Sequence, residues 1–198
     1  MTPELNINYW NNLYLNGEFP WDIGSVSTPL KEYFDQLSDK TISVLIPGAG
    51  NAYEAEYLIN NGFSNVYVCD FAEEPLKNLL RRCPAIKIEN LLQRDFFEME
   101  NMQFDLIIEQ TFFCALDPSL RSAYFKKMNS LLCTDGKLVG VMFNCSFDSD
   151  RPPYGGDIQE YLEYFKNQFE INTFEPCYNS IKPRAGREIF INLEKQKS

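Results

Sequence analysis

Val44-Leu45-Ile46-Pro47-Gly48-Ala49-Gly50-Asn51-Ala52-Tyr53-Glu54 is an apolar run that breaks into a glycine loop and then into helical spacing. Ile42–Pro47 reads as a buried strand, and Ala52–Asn61 as a helix with Ala55, Leu58 and Ile59 on one face. Two glycines at spacing two, directly after such a strand, let a ligand approach the backbone at the carboxyl edge of a sheet. Asp70 ends the next apolar run, Val66–Asp70, 22 positions after Gly48. A doubly wound fold places there the carboxylate that accepts hydrogen bonds from a ribose diol. A tight turn and a solvated strand end account for the same residues and stay open at this point.

Outward from this stretch, short apolar runs alternate with helical periodicity. Pro75–Arg82 reads as a helix, residues near Ala85–Ile88 as a weak strand, and Phe104–Glu109 as a clear one. Asp117-Pro118 is a cap followed by a first-turn proline. It opens a helix with Leu120, Tyr124, Met128 and Leu131 at helical spacing. Lys137–Phe143 reads as a strand behind the turn Thr134-Asp135-Gly136, Asn144–Gly156 as a polar loop and Asp157–Asn167 as a helix. Two strands follow near Glu170–Glu175 and Glu188–Leu193, joined through Lys182-Pro-Arg-Ala-Gly186. The expectation is one α/β domain over 1–198: a Rossmann-like, doubly wound, mostly parallel sheet with an antiparallel strand at one edge.

Composition narrows what such a domain does. The formal net charge is −10, and only Arg81-Arg82 and Lys126-Lys127 stand together as basic pairs. A nucleic-acid partner is not expected, because phosphate neutralisation needs a basic face. No histidine occurs among the 198 residues. That removes Ser-His and Cys-His nucleophile schemes, histidine metal ligands and the commonest general base. The six cysteines are scattered without a CxxC pair, so no metal site is expected and free thiols in a reducing cytoplasm are. No stretch reaches the roughly 20 apolar residues of a membrane helix, and Met1–Trp10 lacks a signal peptide's basic start and apolar run.

The missing glycine discriminates between nucleoside ligands. A dinucleotide loop wants glycine at its sixth position, where helix packs on strand; here that position is Tyr53. The loop suits a smaller amino-acid moiety better than a pyrophosphate, which favours S-adenosylmethionine over a nicotinamide cofactor. Gln93-Arg94-Asp95-Phe96-Phe97 offers an acceptor for an adenine amino group in Asp95 and a ring surface in Phe96; a loop acid before two core phenylalanines is the equal alternative. Trp10, Tyr14 and Trp21 are either simple packing or a lid that excludes water.

Longer motifs narrow the choice. Trp10-x3-Tyr14-x6-Trp21-Asp-Ile-Gly24, Ile46-Pro-Gly-Ala-Gly50 and Asp95-Phe96-Phe97 occur in this order. Phe104-Asp-Leu-Ile-Ile-Glu-Gln-Thr-Phe-Phe-Cys-Ala-Leu-Asp-Pro118 and Pro152-Pro-Tyr154 follow. Together they resemble the thiopurine methyltransferase-like superfamily, and most of all its halide/thiol methyltransferase branch, over nearly the whole chain. The resemblance implies a seven-stranded class I methyltransferase fold and S-adenosylmethionine as cofactor. It implies that residues 1–38 cap the cofactor, with Trp10, Tyr14 and Trp21 closing over it, and that Gly48, Gly50, Asp70, Asp95 and Phe96 make the contacts argued above. Gln110 stands where relatives often carry tyrosine beside the cofactor.

The resemblance also places Pro152-Pro153-Tyr154 near a small-molecule methyl acceptor, making Tyr154 the first catalytic candidate; a surface turn fixed by two prolines is its alternative. Cys114 is read as a buried apolar cysteine. The expected reaction is in-line methyl transfer to a thiolate, hydrosulfide or halide, for which no strong base is needed, with Glu109 a possible assistant for a neutral thiol. The competing readings are a nicotinamide-dependent oxidoreductase and a non-catalytic cofactor-binding protein.

Overall fold

In the computed structural model, which describes residues 5–147 and 149–197, a seven-stranded sheet has the order β3-β2-β1-β4-β5-β7-β6. The strands are β1 (Ser43–Pro47), β2 (Asn65–Asp70), β3 (Leu91–Gln93), β4 (Phe104–Gln110), β5 (Leu132–Phe143), β6 (Phe169–Pro176) and β7 (Glu188–Lys195). β1 pairs in parallel with β2 on one side and β4 on the other, so the apolar run at 44–46 is buried on both faces, as a central parallel strand requires. The strand period of two divides these side chains between two cores. Val44, Ile46, Val66, Val68, Leu106, Ile108, Val139 and Val141 face one, while Leu45, Cys69, Ile107, Leu138 and Met142 face the other.

Helices cover both faces. On the first lie α2 (Thr28–Asp35), α3 (Tyr53–Asn60) and α4 (Glu73–Arg82), contributing Leu30, Phe34, Ala55, Leu58, Leu76 and Leu79. On the second lie α5 (Arg121–Leu131) and α6 (Ile158–Phe165), contributing Tyr124, Phe125, Met128, Tyr161 and Phe165. The N-terminal α1 (Ile7–Asn16) is capped by Asn6, which accepts from the Tyr9 N–H, and ends on left-handed Gly17. It packs on α4, where Asn11 Oδ1 accepts from the Glu74 N–H at 3.1 Å. Strand order reverses between β1 and β4, and a doubly wound fold opens its ligand crevice at the carboxyl ends of the strands at such a point.

The fold matches the reading from sequence, with local differences. The antiparallel strand is β7, one position in from the rim; β6 is the outermost strand and pairs antiparallel with it. The third strand is Leu91–Gln93, not Ala85–Ile88. Asn90 Nδ2 donates to the Val66 carbonyl at 3.0 Å, so the chain docks on β2 only from there, and Ile88 is 72% exposed. Asp117 caps a single 3-10 turn, Pro118–Leu120, before α5 begins at Arg121; Leu120 is exposed and does not share the Tyr124–Met128 face. β5 starts at Leu132, because the expected turn is absorbed as an irregularity between the pairs Phe104–Leu132 and Leu106–Lys137, with Asp135 left-handed at φ 61°. α2 has no counterpart in the sequence reading: it belongs to residues 1–38, yet it packs into the core and not over the crevice.

Candidate functional site

A cavity of about 640 Å³ runs along the carboxyl edge of the sheet. Across the sheet its wall passes from Arg94, Asp95 and Phe96 after β3, through Asp70 at the end of β2, to Gly48–Glu54 after β1. It continues through Gln110–Phe112 at the end of β4 to Phe143 at the end of β5, with Arg184 and Arg187 just before β7. Trp10, Tyr14, Trp21 and Asp22 close one side.

The glycine loop is shaped by the protein's own side chains. Gly48 and Gly50 are left-handed, at φ 54° and 51°. A Cβ on Gly48 would lie 2.0 Å from the Phe112 ring, and one on Gly50 would lie 2.5 Å from the Tyr14 hydroxyl. Two non-glycine residues of the same wall, Ala52 (φ 53°) and Thr111 (φ 60°), also take the left-handed conformation. Such a backbone costs an L-residue roughly 1–2 kcal/mol, so the cavity wall holds strain at these two positions.

Asp70 ties this loop to β2. One carboxylate oxygen accepts from the Gly50 N–H at 3.0 Å and the other from the Ala72 N–H at 2.9 Å. Burial nevertheless dominates and pushes its pKa up to about 6. A carboxylate has about four lone-pair sites, so acceptor capacity remains on the cavity side. Asp95 lies on the exposed rim and accepts from the Phe97 N–H, while Phe96 is buried and packs edge-on against Phe112. Gln110 Oε1 is buried in the wall and finds no hydrogen-bond partner among the described residues.

The aromatic cap is one packed unit. Trp10 and Trp21 meet edge-on at 5.6 Å, Tyr14 meets Trp21 at 6.1 Å and stacks on Phe19 at 5.4 Å. Burial raises the Tyr14 pKa, so its phenol stays protonated. Four polar ties bind the N-terminal segment to helices and loops around the sheet. Asn11 holds α4 as described; Asn51 Nδ2 donates to Asp22; Glu54 Oε1 accepts from the Ser27 N–H at 3.0 Å; and Arg184 Nη2 donates to the Trp21 carbonyl at 2.6 Å. Arg184 is also paired with buried Glu188 at 3.3 Å.

Tyr154, unlike Pro152 and Pro153, is not part of the cavity wall. Its N–H donates to the Cys114 carbonyl at 2.6 Å, and its hydroxyl points to the Asp150 carbonyl at 3.4 Å. Glu109 also lies behind the wall. It accepts from the Phe112 and Phe113 N–H groups and from the Tyr124 hydroxyl, and burial pushes its pKa up to about 7. It fixes the turn that carries Phe112. Cys114 reaches the wall, but its thiol donates to the Thr111 carbonyl and burial raises its pKa, so it is no thiolate. Sequence reasoning missed Glu54, Phe112, Phe143, Phe147, Arg184 and Arg187.

Sheet order, crevice and cap define a class I methyltransferase fold. Solved structures with it include the 1,6-didemethyltoxoflavin-N1-methyltransferase of Burkholderia thailandensis with bound 1,6-didemethyltoxoflavin and S-adenosylhomocysteine, at TM-score 0.77, 17% identity and coverage of 98% of this chain and 88% of that one. A TehB-like SAM-dependent methyltransferase of Corynebacterium glutamicum aligns at TM-score 0.67 and 16% identity, over 96% of this chain and 95% of that one. The family model of thiopurine S-methyltransferase matches residues 5–195, and the chain belongs to that family. It is a small-molecule methyltransferase that uses S-adenosylmethionine. Among curated relatives, "Probable thiol methyltransferase 2" of Arabidopsis thaliana is 29% identical over 90% of this chain and 81% of its own length. "Thiocyanate methyltransferase 1" of Brassica oleracea is 27% identical over the same shares. The nicotinamide alternative falls with this membership.

Proposed function

We propose that the protein transfers the methyl group of S-adenosylmethionine to a soft sulfur nucleophile, a thiolate or thiocyanate-like anion, held at the β5 end of the cavity. The observation that carries this reading is the polarity gradient along the wall. Asp70 and Asp95 stand at the β2 and β3 end beside Phe96 and Arg94, an unpartnered amide acceptor over β4, and Phe143, Phe147, Pro152, Pro153, Arg184 and Arg187 with no carboxylate after β5. Asp70 would accept from the ribose diol and Asp95 from the adenine amino group, against Phe96. Gln110 Oε1, which otherwise costs the protein an unsatisfied buried acceptor, would take a proton donor from the methionine ammonium. The cofactor supplies an electrophilic methyl on a sulfonium.

The chain's own residues position the reactants and keep them dry. Trp10, Tyr14 and Trp21 exclude water from the cofactor side, and Phe143 and Phe147 present apolar surface to the acceptor. An anion stripped of water and held in line needs no further activation. That is consistent with a wall on which neither Tyr154 nor Glu109 stands. A carboxylate base is not required if the acceptor arrives ionised. Catalysis by Tyr154 therefore becomes the lesser proposal, with a role confined to holding the Pro152-Pro153 segment.

The acidic surface supports a small-molecule acceptor over a nucleic acid. Among the described residues no helix is long and apolar enough to cross a membrane. All six cysteines are free, which supports work in a reducing cytoplasm. Calorimetry with S-adenosylhomocysteine and methyl transfer from labelled S-adenosylmethionine test the proposal. Binding without transfer to any thiol, thiocyanate or halide would favour the non-catalytic alternative.

A further inference from the structure

We infer that Arg187 is a specificity-determining residue of the acceptor end, selecting acceptors that carry a negative charge; the inference rests on the acceptor end assigned under the proposed function. Three arginines line the cavity. Arg94 follows β3, at the nucleoside end. Arg184 is engaged by Glu188 and by the Trp21 carbonyl. Arg187 pairs with no carboxylate among the described residues, and its guanidinium lies 4.8 Å from the centre of the Phe147 ring.

Its place is set by backbone. The Arg187 carbonyl accepts from the Asn144 N–H at 2.7 Å, and its own N–H donates to the Arg184 carbonyl at 3.0 Å. β7 then pairs with β5 from Glu188 opposite Phe143 onward, which fixes Arg187 at the mouth beside the β5 end. The aromatic surface is continuous there, since Phe143 and Phe147 meet edge-on at 5.0 Å. A planar cation stacked on a ring keeps its edge donors free for an anion.

The surroundings make that charge consequential. The protein carries net −10, and Asp22, Glu54, Asp70, Asp95 and Asp117 line the same cavity. These carboxylates favour a cationic cofactor and oppose an entering anion. A free guanidinium at the mouth reverses the local sign where the acceptor enters, and charge at such a rim acts on encounter and on ground-state binding. The anion is either the nucleophile itself, as in thiocyanate or hydrosulfide, or a carboxylate on the same molecule as the thiol. In both, the reacting sulfur is anionic, a thiol having first lost its proton to water, and it forms a bond to the methyl carbon while the carbon–sulfonium bond breaks. Its electron pair stays on the departing sulfur, and a separate carboxylate leaves unchanged.

The test is steady-state methyl transfer by wild type, Arg187→Gln and Arg187→Lys. The acceptors are thiocyanate, 2-mercaptobenzoate and neutral 2-mercaptoethanol, at two salt concentrations. Wild type is expected to prefer an anionic acceptor. Arg187→Gln should raise KM for that acceptor by roughly twofold to fivefold, the upper range of a solvent-exposed ion pair, and lower the anion-to-neutral ratio of kcat/KM. Arg187→Lys should recover much of the loss, and added salt should shrink the wild-type preference. Loss with 2-mercaptobenzoate alone assigns the contact to a separate carboxylate; loss with thiocyanate as well assigns it to any acceptor anion. Equal ratios in all three proteins, with methyl transfer intact, overturn the role of Arg187 and leave the methyltransferase reading standing. Absence of transfer by wild type to every acceptor, while S-adenosylhomocysteine still binds, overturns both.

Discussion

The two ends of the cavity are built differently. The end proposed to hold the cofactor is made by the ends of four adjoining strands, Gly48 after β1, Asp70 on β2, Asp95 after β3 and Gln110 on β4. The end proposed to hold the acceptor is made by segments that meet only after folding: Phe143 and Phe147 after β5, Pro152 and Pro153 in the following loop, and Arg184 and Arg187 before β7. One end is dictated by a local rule of parallel sheets; the other depends on a long-range register. A substitution in the first should therefore impair folding and cofactor binding together, whereas one in the second should change acceptor choice.

The largest effect that sharpens this contrast is expected for Gly48→Ala. It forces a Cβ into the Phe112 ring at a left-handed backbone position. Strain and overpacking together amount to about 2–5 kcal/mol. A thermal scan should show a marked fall in Tm, and calorimetry a matching loss of S-adenosylhomocysteine affinity. A wild-type Tm would mean that Phe112 moves aside freely and that the loop is not held as described.

Asp70→Asn should come next. Losing a charged acceptor costs roughly 1.5–3 kcal/mol, a ten- to hundredfold drop in cofactor affinity. Because the ionised form is the acceptor, wild-type affinity should also fall as pH drops below about 6, the raised pKa of Asp70. Stability of the free protein runs the opposite way. Burial raises Asp70 from 3.8 to about 6 and Glu109 from 4.5 to about 7. The native state therefore holds protons that the unfolded chain has released, and stability declines as pH rises through those windows. Asp70→Asn and Glu109→Gln should each flatten that decline. Equal slopes in wild type and variants would show that neither group governs it.

Gly50→Ala tests how the cap meets the loop. The new methyl lies 2.5 Å from the Tyr14 hydroxyl but 3.6 Å from the ring carbon that bears it. Tyr14→Phe should therefore relieve part of the overpacking share of the loss, about 1–3 kcal/mol, and leave the left-handed backbone cost in place, giving a favourable coupling in the double-mutant cycle. Additive effects would place the Tyr14 hydroxyl elsewhere. The smallest effect is expected at Tyr154→Phe. The hydroxyl makes only one long contact, to the Asp150 carbonyl, so kcat should stay within about twofold of wild type, since a residue outside the site changes little. A loss of a hundredfold or more would restore Tyr154 as a proton-transfer residue.

How much the sequence disclosed follows the same division. β1, its glycine loop and Asp70 are legible because continuous apolar runs and glycine spacing are local signals. β3 is misplaced because only three residues pair, and a side chain, Asn90, decides where pairing starts. α5 starts later than the spacing implies because Asp117 caps a 3-10 turn ahead of it, a distinction that spacing does not carry. Arg184 and Arg187 read as parts of a connection, since only the pairing of β7 with β5 brings them to the cavity. Glycine spacing alone implies room for a ligand; two of the protein's own rings, Phe112 and Tyr14, use that space as well.

The most direct measurement is product analysis with methyl-deuterated S-adenosylmethionine and thiocyanate or a thiolate as acceptor. Deuterated methyl should appear on the acceptor sulfur, with one S-adenosylhomocysteine formed per product. A protein that binds S-adenosylhomocysteine yet leaves every sulfur acceptor unlabelled, while methylating an oxygen or nitrogen acceptor, would contradict the account.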